Sequence, residues 1–387
     1  MSGRKQQPKK TDKLLKRIHE ELPAKLKEVG IRFHVPEKIA VRQLKKLRKR
    51  IYARIDADGI VLVSGKGKRK TPIQRLSEWI DQCLAKLKQY TKDIHICGNR
   101  NSFSKTDHDA TFMHMKEDYM RNGQLKPGYN VNVATCSDFI IGSYISSDRN
   151  DVHTLIPFME QLRKNYAGRN IGSVVVDSGY ESEENYCWFE AHPETELYVK
   201  PSNHEAVKHR KYRTDISRRE NMAYDAQTDT YTCANGKLLQ RTREKKTHTA
   251  SGLEIATSVY ECNECDGCPL KEKCIRACGS KKPMEERHKV IYVSKRFARQ
   301  RQAMEAKISS PKGCLLRVNR SIQAEGNFAY VKQDLDFRRF LLRGNMKVAA
   351  EWLLFSLALN ILHLHHKIQN RRLGSDLKIP SSFPAGL

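Results

Sequence analysis

The sequence predicts a mixed α/β chain with a basic helical N-terminal region and a small zinc-binding insertion, on three observations. Apolar residues recur every three or four positions over residues 11–92. The spacing switches to two from Tyr129, and four cysteines later fall at the intervals C-x2-C-x2-C-x5-C. The boundaries that follow are 1–95 for the helical region, 96–204 for the first part of the core, and 205–300 for the cysteine-rich insertion. Residues 301–370 are helices completing the core, and 371–387 are a tail.

In the first region Leu14, Leu15, Ile18, Leu22 and Leu26 share one helical face, and Trp79, Ile80, Cys83, Leu84 and Leu87 share another. The Gly- and Pro-bearing stretches "GIRFHVPEK" and "DADGIVLVSGKGKRKTP" break the pattern, so the region reads as helical hairpins. "YNVNVAT" and "FIIGSYISS", joined by "CSD", read as a β-hairpin. A helix opened by Asp151 follows, with Leu155, Phe158, Met159 and Leu162 on one face. The strand "SVVVDSG", the helix "ESEENYCWFEAH" and the strand "ELYVKPS" then complete a mixed α/β order. Asp177 ends the central strand. A carboxylate there either caps the next element or is a ligand group held by a rigid strand end. Beyond the insertion, "RSIQAEGNFAYVKQDLDFRRFLLRG" returns to helical spacing, with Ile322, Phe328 and Val331 facing a core and Glu325 mid-helix.

Lys and Arg outnumber Asp and Glu by 71 to 44, a formal charge of +27, which points to a polyanionic partner, with nucleic acid first. No apolar segment follows the basic start "MSGRKQQPKKTDK" as a signal peptide requires. The apolar run from Ala349 carries Glu351 and Asn360 and reads as a buried helix. The expectation is a cytoplasmic protein with no membrane partner.

Eleven cysteines in a long chain of this kind point to metal rather than to disulfides. Cys83, Cys97, Cys136, Cys187 and Cys314 are scattered and read as small buried apolar residues. Cys262, Cys265, Cys268, Cys274 and Cys278 cluster, and Cys233 follows a predicted strand. Thiolates at this spacing suit one tetrahedral Zn2+, held by Cys265, Cys268 and Cys274 with Cys262 or Cys233 as the fourth ligand. An iron-sulfur cluster or unmetallated thiols are the alternatives.

Two-metal phosphoryl transfer needs carboxylates from separate elements converging on one point, and an Asp on a central strand with a Glu on a later helix meets that need. The stretches "NSFSKTDHDATFMHMKEDYMRNGQLKPGYNV", "SSDRNDVHTLIPF", "DSGYESEENY", "YECNECDGCPLKEKC" and "RSIQAEGNFAYVKQDLDFRRFLLRG" closely resemble the DDE transposases of bacterial insertion sequences. The resemblance implies a ribonuclease-H-like mixed sheet with helices on both faces. It implies Asp177 and Glu325 as second and third acids binding Mg2+ (or Mn2+), and Lys332, with Arg320, beside the DNA phosphate. The implied activity is phosphodiester cleavage and strand transfer at transposon ends in double-stranded DNA, by a homo-oligomer. A DNA-binding remnant without activity and a metal-dependent nuclease without strand transfer are the alternatives. Such transposases carry their first acid in an Asp-Gly-Thr motif on an initial strand, and no such motif occurs here. Asp107 and Asp109 either substitute for it or order a turn. The expectation is an N-terminally truncated copy, with "ATFMHM" as a possible stand-in for the missing central strand.

Overall fold

The computed structural model describes residues 2–3, 6–36, 39–65, 67–115, 120–276, 282–374 and 377, and the chain is mixed α/β. It divides into two units, one of residues 1–130, 145–149 and 340–351, the other of residues 131–144, 150–339 and 352–387.

In the first unit the apolar stripes of three helices close on one another. These are α1 (Gln6–Glu28), α2 (Val41–Ala57) and α3 (Pro72–Cys97). Ile18, Leu22 and Leu26 pack with Leu44, Leu47, Ile51 and Ile55 and with Leu76, Ile80 and Leu87. Thr71 starts α3 by accepting from Gln74 N at 3.3 Å, and Pro72 takes the first helical position, where no amide donor is needed. Two short antiparallel ladders complete the unit: β1 (Ser2–Gly3) with β2 (Ser102–Phe103), and β3 (Thr111–Met113) with β4 (Lys126–Gly128). The segment "ATFMHM" therefore pairs with β4.

The second unit begins within the predicted hairpin, β5 (Asn130–Cys136) and β6 (Phe139–Ser146), of which it holds residues 131–144. Ser137 and Asp138 take φ of 55° and 71° in its two-residue loop, the two positive values that match the turn to the strand twist. Helix α4 (Leu155–Asn165) buries Leu155, Phe158, Met159 and Leu162 as its spacing predicts. Strand β7 (Ser173–Val176), helix α5 (Glu183–Glu190) and strand β8 (Glu196–Val199) form a parallel pair with a helical crossover.

The single mixed sheet expected from the sequence is not formed. The β5–β6 and β7–β8 pairs are separate two-stranded sheets, and among the described residues no ladder joins them. Burial is inverted relative to composition: Leu197, Tyr198 and Val199 of β8 are buried, whereas Val174, Val175 and Val176 of β7 stay half-buried. A run of three valines is the pattern of an inner strand covered on both faces.

After the short helix α6 (Arg210–Arg213), residues 205–300 are more regular than their polar composition predicts. They contain an antiparallel meander in the order β13-β12-β11-β10-β9, built from β9 (Ala223–Asp225), β10 (Thr230–Thr232), β11 (Leu238–His248), β12 (Glu254–Cys262) and β13 (Lys289–Val293). The one-turn helix α7 (Lys271–Cys274) lies between β12 and β13. Met222, Leu239, Tyr260, Ile291 and Val293 form the core of this part with Cys262 and Cys265. The strands β11 and β12 run past β13 as an exposed two-stranded ribbon carrying Lys245 and Lys246.

Helix α8 (Lys295–Ser309) leads through Ser310 into α9 (Pro311–Arg320), and the turn is tight enough that a side chain on Gly313 would meet the Lys307 carbonyl. The helix does not then continue in one period. A π turn at Ser321–Glu325, the short α10 (Gly326–Ala329) and a second π turn at Tyr330–Asp334 follow. Val331 is buried and Phe328 stacks on Trp352, but Ile322 is 39% exposed and is not a core residue.

Helix α11 (Asn345–Gln369) extends beyond the apolar run read from the sequence, and by length and composition alone it could cross a membrane. Only one side of it is buried, by Trp352, Ser356 and Leu359, so the expected buried helix is half right. Asn360 on that side bonds to both the amide and the carbonyl of Ile140, which commits the helix to protein.

Candidate active site

Strand β7 delivers Asp177 at its C-terminal end, where parallel sheets present groups to ligands. Asp177 Oδ1 accepts from Gly179 N at 2.8 Å and so orders the turn Ser178–Tyr180. It does not cap α5, because Ser182 Oγ does so, accepting from Asn185 N at 3.0 Å. One oxygen of Asp177 is thus structural, and the carboxylate remains at the surface.

Asp151 stands beside it. A Cβ on Gly179 would lie 3.0 Å from Asp151 Oδ2 and 3.0 Å from Asp177 Oδ1. The two carboxylates are therefore on the order of 6 Å apart or less, a separation one divalent ion can span. The expectation that Asp151 opens α4 is corrected: Asp151 lies in the short turn Asp151–His153, which Asn150 caps by accepting from Val152 N at 3.4 Å, and α4 itself starts after Thr154 with no side-chain cap.

Tyr180 feels the charge of both carboxylates. Its hydroxyl donates to Asn132 Oδ1 at 2.5 Å, and Thr154 donates to the same oxygen at 2.8 Å. Burial pushes the Tyr180 phenol well above its ordinary range, and the charges of Asp151 and Asp177 push it further, with Thr154 and Arg320 partly offsetting them. Tyr180 is therefore a neutral hydrogen-bond donor, fixed on Asn132.

Glu325 closes the first π turn, a distortion that recurs at functional sites. Arg320 Nη2 donates to Glu325 Oε1 at 2.7 Å, and Ser321 Oγ donates to Oε2 at 3.0 Å. Arg320 also acts electrostatically on Tyr180, the weakest of the influences on that phenol. Lys332 is exposed and makes no ion pair among the described residues. Its alignment with Glu325 assumed an uninterrupted helix, whereas a π turn begins at Tyr330.

In the other unit, Asp109 Oδ2 accepts from Asn345 N at 2.9 Å at the start of α11, where the helix dipole favours a negative charge. Asp107 accepts from Tyr129 OH at 2.7 Å. Both carboxylates have structural work there.

The cysteines lie around the end of β12. Cys265 Sγ accepts from Lys289 N at 3.3 Å and Cys268 Sγ from Asn235 Nδ2 at 3.5 Å. Burial raises the Cys274 thiol; Lys289 lowers it, and the sulfurs of Cys233, Cys265 and Cys268 are near enough to raise it again. Burial pushes Cys262 up to about 11. Cys278 lies outside the described residues. Among the described residues no group of three or more His, Cys, Asp or Glu is preformed to hold an ion.

Comparison with known proteins bears on the Glu325 region directly. Residues 232–365 match the family model of the transposase DDE domain. The match supports a DDE-type transposase acting on DNA, a family that generally uses divalent metal ions. The matched transposase segment contains Arg320, Glu325, Lys332 and the five cysteines Cys233 to Cys274, and it begins after Asp151 and Asp177. No curated protein and no solved structure matches the chain.

Proposed function

We propose that the chain is a DDE transposase subunit in which Asp177 and Glu325 are two of the acids that hold Mg2+ or Mn2+ at a DNA phosphodiester. The observation that carries this reading is the glutamate held by Arg320 at a π turn inside the matched segment. Hard carboxylate oxygens suit these ions, which supply charge neutralisation and activation of the attacking oxygen. The protein's own part is to aim the acids: β7 fixes Asp177, and the π turn and Arg320 hold Glu325. Lys332 and the basic β11–β12 ribbon suit the DNA backbone, where lysine and arginine charge contributes affinity without sequence preference.

The third acid comes from a strand outside the described sheets, one that pairs beside β7. The half-buried valines of β7, which among the described residues pairs only with β8, favour this, since three valines in a row suit an inner strand. The chain alone is then expected to cleave a short duplex of transposon-end DNA at background rate in Mn2+. Adding a segment encoded beside it that ends in Asp-Gly-Thr should restore cleavage. A second reading is favoured by the closeness of Asp151 to Asp177, which makes Asp151 the third acid. Cleavage by the chain alone, lost in Asp151→Asn, would replace the first reading with the second.

The cysteine lobe holds a structural zinc through Cys233, Cys265, Cys268 and Cys274, and Cys262 is buried in the core of the lobe. The amide donors on Cys265 and Cys268 support this set, since such donors stabilise thiolates. About one zinc per chain is expected on metal analysis of reduced protein. Cys268→Ser should release it and speed amide exchange over residues 225–274 more than over β7 and β8. Zinc-free reduced protein with a protected lobe would reject the site.

A further inference from the structure

The outer face of α11 carries Leu353, Leu354, Leu357, Ile361, Leu364 and Ile368, which are 57%, 70%, 59%, 62%, 44% and 54% exposed. From Leu354 onward they are spaced three, four, three and four residues apart, the alternation that lines one helix up against another. At about 100° per residue all six fall in a stripe roughly 100° wide. No charged side chain interrupts it, and Trp352, Ser356 and Leu359 on the opposite side are buried in the protein.

We propose that this stripe is a self-association surface, on which α11 of a second copy of the chain packs against α11 of the first. Three observations select a second copy as the occupant. An isologous contact needs a face complementary to itself, and an uncharged row of leucine and isoleucine is that, whereas a charged face is not. The chain carries a formal charge of +27 and repels its own copies elsewhere, so a charge-free stripe is where two of them can meet without apposing like charges. The area also fits. The six side chains expose on the order of 600 Å2, and with the exposed Ala358 and His365 beside them one chain approaches the roughly 800 Å2 that each partner contributes to a standard interface. DNA offers no apolar surface to such a stripe, and a bilayer cannot surround a helix whose other side is buried in protein.

The contact does not depend on the catalytic reading, and its test is run without DNA. Sedimentation equilibrium of the full chain between about 1 and 100 μM should give a dimer whose population rises with concentration. The double variant Leu357→Glu/Ile361→Glu should be monomeric with an unchanged far-ultraviolet dichroism spectrum, because both positions are exposed in the single chain. Val61→Glu, also at an exposed position (80%), should leave the dimer intact. Should the double glutamate variant fail to fold, Leu357→Ser/Ile361→Ser reads the same contact, with association expected to weaken at least tenfold. A monomeric wild-type chain overturns the proposal, and so does a dimer that survives either double variant. Binding of the stripe to lipid vesicles by a monomeric chain, or its coverage by the chain's own residues 378–387, would appear as the first of these outcomes.

Discussion

Asp177→Asn is expected to lower metal-dependent DNA cleavage by a factor on the order of 10^3 or more, measured in whichever assembly cleaves, while leaving the melting temperature nearly unchanged. The two effects separate because Asp177 has two jobs. Its Oδ1 accepts from Gly179 N, and an asparagine oxygen can make the same bond and keep the turn. What asparagine lacks is the negative charge beside Asp151 that a divalent ion needs. Asp177→Ala removes both functions and should also cost stability, so comparing the two variants divides the turn from the chemistry. Cleavage retained in Asp177→Asn, with the ion still bound, would remove Asp177 from the site.

Arg301→Ala should destabilise the second unit by about 3–5 kcal/mol, because it strands a buried carboxylate. The Glu181 side chain is 1% exposed and takes Arg301 Nε and Nη2, each at 2.8 Å, together with Ser202 N at 2.8 Å and Tyr186 OH at 3.1 Å. Burial alone would raise the Glu181 carboxyl, but Arg301 and the Ser202 amide outweigh it and hold it below its ordinary range. A carboxyl lowered on folding adds stability above its unfolded value near 4.3, and that stability is lost as pH falls through the folded value. Without Arg301, burial dominates and the sign reverses. The gap in melting temperature between wild type and variant should therefore be wide at pH 7 and narrow below about pH 4. An equal gap at both pH values would show that the pair is not what stabilises this region.

The parts of the fold legible in the sequence are those that bury one face. The stripes of α1, α3 and α4 and the valine run of β7 were all readable, because water exclusion writes a period into the chain. Strand β11 was not readable: its polar sequence "QRTREKKTH" lies in an exposed ribbon, and nothing apolar alternates. Within the candidate site, Asp177 and Glu325 could be picked out by type and position. Asp151 could not, because an acidic residue just before an apolar helical stripe has the same local signature as a cap, and only Gly179 in three dimensions shows where its carboxylate goes. Lys332 was assigned to a face by a period of 3.6 that the π turns do not keep. The outer stripe of α11 was visible as apolar, but a helix apolar on all sides reads as buried whether its cover is its own chain or another's.

The π turns also let this helix absorb a change of length that an ordinary helix would not. A π turn is an α turn holding one extra residue, so dropping a single residue between Ser321 and Glu325 would give a more regular helix and leave the faces on either side aligned. Arg320 and Glu325, five positions apart across the turn, would then stand four apart, the spacing at which side chains meet in an α-helix. The same deletion in a regular α turn would swing one side by about 100°. A related chain that is one position shorter here can therefore have the better helix and still hold its acid.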